Sequence, residues 1–470
     1  MTPNQYDVII IGAGPAGIFA AYELAEHRPQ LQVLMLEKGK HISDRNCPMQ
    51  ERGSCPRCPT CAVLCGWGGA GAFSDGKLTL TSGFGGFLGD YLPRTEVDDL
   101  IDYIDGVYVR FGAGGGMYGD NPSDVRDLIR QAAAAGLQLL PARIRHLGTE
   151  RCPAILSHMF AHLNGRVEVR AGTEVKEILT QRGVAHGVVT TAGDEFRARY
   201  ILCAPGREGA EWFAREGRRL GLELTHNPVD VGVRVEVPAV LFEHLTERVY
   251  EPKLLYYSRA FDDLVRTFCV CPHGQVVLEN NRGLVTVNGH SFREQKTANT
   301  NFALLVSKTF TEPFHEPIAY GKYVAALANM LGDGVLVQRL GDLLAGRRST
   351  AKRLERGMVE PTLKQATPGD LSLVLPYRHL CNLLEMLEAL DRLAPGVHSR
   401  HTLLYGVEVK FYSSRPRMSK ELETDVKQLF AVGDGAGVTR GLAQASASGV
   451  VAARSILKRE EKYKDARELM

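Results

Sequence analysis

An α/β fold built on a parallel sheet, with a second and largely antiparallel portion inserted into it, is predicted by three observations. The chain opens on a strand, a glycine turn, a helix and a second strand. It closes on a strand, Leu429–Val432, followed by another glycine turn and a helix of small residues. Between these ends lie short alternating segments punctuated by glycine and proline, as antiparallel strands require.

The opening strand is Tyr6-Asp7-Val8-Ile9-Ile10-Ile11, an apolar β-branched run suited to a buried parallel strand. Gly12-Ala13-Gly14-Pro15-Ala16-Gly17 follows, then Ile18 to His27 with the apolar face of a helix, then the strand Gln32–Leu36 ending at Glu37. Residues 38–89 lack a regular pattern, and a loop of that length is usually functional. Helices are predicted over Glu96–Phe111, Ser123–Ala135 and Cys152–Leu163. Strands at Val167–Val169, Glu174–Thr180, Val184–Thr191 and Phe196–Cys203 are expected to form a small antiparallel sheet. Further strands are read at Val231–Val237, Thr267–Val270, Gln275–Glu279, Leu284–Asn288 and Gly406–Phe411. Tyr320–Leu331 and Leu371–Leu393 read as helices, and a last helix ends near Leu457. The expected organisation is a dinucleotide-binding domain in two parts, 1–225 and 396–470, around a substrate or cap domain at 226–395.

The 470 residues are 44% hydrophobic and 23% charged, ordinary values for a globular chain. A formal net charge of +2 gives no electrostatic footprint for nucleic acid. No apolar run is long enough to span a membrane and no leader is evident, so a cytoplasmic location without membrane partners is expected.

Gly12-x-Gly14-x-x-Gly17 has the context of a Rossmann-like dinucleotide site: it follows a strand, opens a helix and is answered by Glu37 about twenty positions on. Gly12 permits the tight turn, Gly14 lets a diphosphate approach the backbone, and Gly17 lets the helix pack on the sheet. The helix start, with Pro15 and Ala16, offers N–H groups and positive partial charge to an anion. Glu37, next to Lys38, can accept hydrogen bonds from ribose hydroxyls, which fits FAD or NAD better than NADP. No second fingerprint opens a helix mid-chain, so NAD(P)H is expected only as a transient donor.

Two later segments sharpen this reading. Tyr200–Cys203 is an apolar strand stopping in Ala204-Pro205-Gly206, and Val432-Gly433-Asp434-Gly435 ends the late strand in Gly-Asp. With the N-terminal fingerprint, the combination resembles the two-dinucleotide-binding-domain flavoprotein superfamily, whose glutathione-reductase-type domain binds FAD. The resemblance implies that Asp434 contacts the ribityl chain of the flavin. Pro205 stands where that superfamily usually has threonine. Gly68-Gly69-Ala70-Gly71-Ala72-Phe73-Ser74-Asp75-Gly76-Lys77-Leu78 and Gly406-Val407-Glu408-Val409-Lys410 narrow the resemblance to a group of bacterial and archaeal FAD-dependent dehydrogenases with no shared substrate. Gly69, Ala70 and Gly71 are expected beside the flavin, and Trp67, Phe73 and Leu78 are expected to be buried.

Five of the 10 cysteines crowd one segment. Cys55, Cys58, Cys61 and Cys65 have the C-x2-C-x2-C-x3-C spacing of a bacterial ferredoxin run, although Gly66 stands where proline usually follows. The spacing suits a [4Fe–4S] cluster, with Cys47 an alternative fourth ligand; zinc and free thiols are the competing readings.

Flavin chemistry needs positioning and at most a proton donor from the protein. Lys77, His290 and Lys410 are the candidates, with Asp75 and Tyr405 also polar and well placed in sequence. The expected function is an FAD-dependent oxidoreductase or dehydrogenase acting on a small organic substrate, with an iron–sulfur relay and an electron-transfer protein as added elements. A tRNA-modifying flavoprotein and a redox-sensing or metal-binding flavoprotein are the alternatives.

Overall fold

The computed structural model describes residues 4–48, 58–74, 76–148, 151–225, 227–281, 283–291, 296–310, 314 and 316–468. The chain divides into two compact units, Met1–Gly115 with Arg145–Asn227 and Ser413–Met470, and Gly116–Ile144 with Pro228–Tyr412. Residues 396–412, expected with the dinucleotide-binding part, thus lie in the second unit, as do 116–144. The reason is pairing: Leu403–Lys410 is buried along its whole length between two strands of the second unit's sheet.

The first unit is a Rossmann-like α/β domain. Gln5–Ile11 pairs in parallel with Val33–Glu37 on one side and Glu195–Cys203 on the other, and Leu429–Ala431 continues the parallel set beyond Cys203. Ile11 is in register with both Leu36 and Cys203, and Cys203 with Ala431. That register brings the carboxyl ends of these strands, and every turn that leaves them, to one edge of the sheet.

The antiparallel arm is Val175–Gln181, Val184–Thr190 and the first half of Glu195–Cys203. The strand expected at Val167–Val169 in that arm is Glu168–Ala171, and it pairs in parallel with Val33–Glu37 instead; alternation along a strand fixes its buried face and leaves its neighbour open. The helix Pro15–His27 packs against the final helix, Leu442–Glu468, which runs past the expected end near Leu457. A Cβ on Gly449 would lie 2.0 Å from the Ala16 carbonyl oxygen, so the small residues of the last helix are what allow this approach.

The second unit holds a sheet whose strands run in the order Thr367–Pro368, Leu336–Arg339, Leu403–Lys410, Val229–Pro238, Asn299–Lys308, Leu264–Cys271, Lys253–Tyr257 and Gln138–Leu140. It is antiparallel apart from the first pair. Val229–Pro238 alternates two kinds of side chain. Val229, Val231, Val233, Val235 and Val237 enter the apolar core shared with the helix Tyr377–Leu393. Asp230, Arg234 and Glu236 occupy the other parity and are also fully buried. The predicted helix Leu371–Leu393 is interrupted: a 3-10 turn at Leu371–Leu373 precedes Pro376, and the α-helix starts at Tyr377. Asn299–Lys308 escaped the sequence reading because Phe302-Ala303-Leu304-Leu305-Val306, buried on both faces, shows no alternation.

Candidate functional site

The three glycine turns and the glycine-rich loop converge at the carboxyl edge of the first unit's sheet. Gly12 adopts φ +99, and a Cβ there would meet the Ala204 carbonyl oxygen at 2.2 Å. Gly17 packs equally close, 2.0 Å from the Gly12 oxygen to its would-be Cβ. Gly14 differs: the nearest atom to a Cβ at this position is Gly69 Cα, 4.0 Å away. Gly14 is also the N-cap of Pro15–His27 and supplies no capping side chain. Among the described residues the helix start thus has room at Gly14 and no capping side chain, the arrangement that receives a phosphate.

Gly69, at φ +57, lies against Gly14, and Gly71 against Pro15 and Leu442. Gly68 donates its N–H to the Ala13 carbonyl at 2.8 Å. Gly433 reaches the same place, its would-be Cβ 3.2 Å from Ala16 Cβ, and Gly435 packs on the Gly206 carbonyl. Asp434 thus stands near the helix start. Its Oδ1 accepts from Thr439 at 2.7 Å and its Oδ2 from Arg207 Nε at 3.1 Å. Lys38 pairs with Glu208 at 3.7 Å.

Glu37 is buried and already engaged. Oε2 accepts the Ala13 N–H at 2.8 Å, and Oε1 accepts from Gly39 at 2.8 Å and Gly66 at 2.9 Å. A carboxylate offers about four acceptor positions, so one is left for a ligand hydroxyl.

The loop is held by Arg45, a residue to which the sequence reading assigned nothing. It donates to the carbonyls of Ala62, Trp67, Val63 and Gly69, at 2.6 to 2.9 Å, and its Cζ lies 4.8 Å from the Phe73 ring centroid. Burial pulls its guanidinium down to about 10, with Glu37, Cys65 and Cys61 opposing the fall. Trp67 and Leu78 are fully buried as expected, with Trp67 Nε1 donating to Leu156 O at 2.8 Å. Phe73 is half-buried, and Asp75 lies outside the described residues.

Among the described residues, no three of His, Cys, Asp and Glu gather into a metal-ligating group. Cys58 is exposed, Cys47 and Cys61 are half-buried and Cys65 is buried, its thiol pushed up to about 12 by burial. Cys55 lies outside the described residues.

The catalytic candidates fall in different units. Lys77 is buried in the first unit, on the strand Lys77–Leu80. His290 and Lys410 belong to the second, His290 opposite Gln275 in a two-stranded hairpin and Lys410 opposite Asp230. Lys410 Nζ pairs with Glu408 at 3.0 Å and Glu279 at 3.5 Å. Burial disfavours its charge, but these carboxylates outweigh burial and hold it protonated above the usual lysine range, which removes it as a base. Tyr405 donates to the buried Glu236 at 2.5 Å and serves the core.

Residues 228–411 match the family described as FAD-dependent protein, C-terminal domain-like, and residues 2–43 match the Thi4 family. An uncharacterised protein of Clostridium beijerinckii is 26% identical over 476 residues, covering 96% of this chain and 80% of that protein. Among solved structures, glycine oxidase from Geobacillus kaustophilus aligns with a TM-score of 0.40 at 15% identity, over 97% of this chain and 95% of that one. A formate oxidase of Aspergillus oryzae aligns at 0.45 and 12%, over 98% and 99%. L-proline dehydrogenase from P. horikoshii aligns at 0.42 and 10%, over 97% and 94%. The FAD-dependent family matched over residues 228–411 and the open glycine cradle agree on one class, FAD-dependent flavoproteins.

Proposed function

We propose that the protein is an FAD-dependent oxidoreductase acting on a small organic substrate. The observation that carries this reading is the meeting of Gly14, Gly69 and Gly433 at one edge of a parallel sheet. In this reading Gly12, Gly14 and Gly17 shape the turn, and the first turn of Pro15–His27 neutralises the diphosphate of FAD. Glu37 spends its remaining acceptor position on the adenosine ribose, beside Lys38. Gly69, Ala70 and Gly71 line the opposite wall, Gly206 supports the Gly433 turn, and Asp434, oriented by Thr439 and Arg207, accepts from the ribityl hydroxyls. When bound, the flavin supplies two-electron chemistry toward substrate and one-electron chemistry toward partners. The chain's own groups position it and exclude water.

A [4Fe–4S] relay on Cys55, Cys58, Cys61 and Cys65 is a finer form of this reading, supported by spacing alone. NAD(P)H or an electron-transfer protein would then be the exchange partner.

The test is an absorption spectrum of anaerobically purified protein, with iron and sulfide analysis, followed by reduction with panels of amino and hydroxy acids. Released FAD and bleaching by one substrate class support the proposal. A colourless protein that takes up no added FAD overturns it. Flavin without iron removes the relay alone.

A further inference from the structure

The second unit contains a pair of cysteines that the flavin reading does not use. Cys269 and Cys271 lie near the end of the strand Leu264–Cys271 with their sulfurs 3.9 Å apart. Residues two apart on a strand share a face but are spread by roughly 6.6 Å of rise. Here an irregularity closes the gap. The register against Asn299–Lys308 shifts between Phe268 and Cys271, so that three steps on one strand oppose two on the other. Cys269 takes the extra step at φ +47, a conformation that side chains other than glycine rarely adopt.

A buried cation stands against the pair. Arg234 Nη2 donates to the Cys269 carbonyl at 2.6 Å and lies 3.2 Å from Cys271 Sγ. Arg234 is 0% exposed, ion-paired with the equally buried Glu408 at 3.4 Å and held by Asn301 Oδ1 at 2.7 Å. Its space exists because residue 289 is glycine: a Cβ there would fall 1.9 Å from Arg234 Nη2. Lys410, bound to Glu408 and Glu279, also belongs to this charged cluster, and Glu251 Oε1 accepts the Cys269 N–H at 3.0 Å. The two thiols differ in access, Cys271 being fully buried and Cys269 half-buried.

We propose that Cys269 and Cys271 form a redox-active dithiol that closes to an intramolecular disulfide by exchange with a low-molecular-weight disulfide. Cys269, the accessible thiol, attacks one sulfur of the small disulfide as its thiolate. The S–S bond of that molecule breaks, and one small thiol leaves with the proton Cys269 gave up. Cys271, whose Sγ lies 3.2 Å from Arg234 Nη2, then attacks Cys269 Sγ as its thiolate. The Cys269–Cys271 bond forms as the second small thiol is expelled with the proton from Cys271. Two protein thiols lose two electrons, and one small disulfide becomes two thiols. Closure needs the sulfurs to move from 3.9 Å to about 2.05 Å, within reach of side-chain rotation on a strand already bulged at this point.

The experiment exposes the full-length protein to graded ratios of reduced to oxidised glutathione. Acid quenching, denaturation, iodoacetamide alkylation and peptide mass spectrometry follow. The expected result is a peptide bearing both residues that escapes alkylation at oxidising ratios, is lighter by two hydrogens, and regains both alkylation sites after dithiothreitol. Cys271→Ser should trap glutathione on Cys269, and Cys269→Ser should abolish both products at this strand. Full alkylation of both cysteines in the wild-type protein at every ratio overturns the proposal. So does a glutathione adduct on wild-type Cys269 that never resolves. The wild-type titration decides by itself if either variant fails to fold, and it is independent of flavin content.

Discussion

Glu37 Oε2 accepts the Ala13 backbone N–H at 2.8 Å, joining the end of the second strand to the turn that follows the first. Its Oε1 extends the same tie to Gly39 and Gly66, so one buried carboxylate organises the fingerprint turn and the start of the glycine-rich loop. Glu37→Ala leaves three N–H donors without their acceptor, at a cost of roughly 1–3 kcal/mol for a buried group left unsatisfied. The expected outcome is a fall of several degrees in melting temperature together with loss of FAD on gel filtration. Glu37→Gln keeps one oxygen and should fall between the two. Wild-type flavin content and stability in Glu37→Ala would refute the role given to this carboxylate.

The glycines of the fingerprint should separate by function. Gly14→Ala places a methyl group in open space at an ordinary backbone conformation, 4.0 Å from Gly69 Cα. The variant should fold with near-normal apoprotein stability yet bind FAD at least tenfold more weakly, because the methyl occupies the path of the diphosphate. Gly17→Ala drives its methyl to 2.0 Å from the Gly12 oxygen, so the helix must lift off the sheet. That variant should be recovered mainly in the insoluble fraction. Equal behaviour of the two, judged by circular dichroism and flavin titration, would contradict the geometry.

The contrast between these glycines and the rest of the site marks what the sequence made legible. Gly12, Gly14 and Gly17 answer local demands of a turn, a close approach and a helix contact, and all three demands are written within six positions. Asp434 was singled out by resemblance, since a strand ending in Gly-Asp is by itself an ordinary strand-to-helix turn and gains meaning only beside the N-terminal fingerprint. Glu37 was half legible: its place at the strand end is a matter of spacing, but its engagement by Ala13, Gly39 and Gly66 depends on how a long loop folds back. Arg45 was invisible because its acceptors are backbone carbonyls, which leave no trace in residue type. Arg234 was invisible for another reason, since Glu408 and Asn301 come from neighbouring strands far away in sequence.

Arg45 gives a test of the loop. Its four carbonyl partners span Ala62 to Gly69, so the side chain joins the stretch between Cys61 and Cys65 to the wall of the proposed flavin site. Hydrogen bonds to a charged donor contribute about 1.5–3 kcal/mol each in favourable cases, and they are not additive. Arg45→Met should open the segment to limited proteolysis between residues 58 and 74 and weaken FAD retention by tenfold or more. Arg45→Lys, with a charge but no planar fork, should recover only part of this. A protease pattern identical to wild type would show that the loop is held by other contacts.

His379 supplies the pH dependence. It is 3% exposed in the second unit, and among the described residues neither ring nitrogen has a hydrogen-bond partner. Burial lowers it to about 4; Lys308 and Arg378 act in the same direction and Asp263 against them. The unfolded chain binds this proton near pH 6.5, whereas the folded chain resists it until about pH 4. Below 6.5 the unfolded state therefore holds more protons, and stability declines as the pH falls through this window. At roughly 1.4 kcal/mol per unit the full loss is about 3 kcal/mol, reached near pH 4. His379→Phe, which keeps a ring of similar shape and cannot titrate, should flatten the decline in melting temperature between pH 6.5 and 4. Asp263 is held below the usual carboxylate range by Arg378, Lys308 and Asn382, so the unfolded chain takes up its proton first and adds a decline of its own at the acid end of this window, which His379→Phe leaves in place. Parallel pH profiles for wild type and His379→Phe would show that the imidazole is not the titrating group.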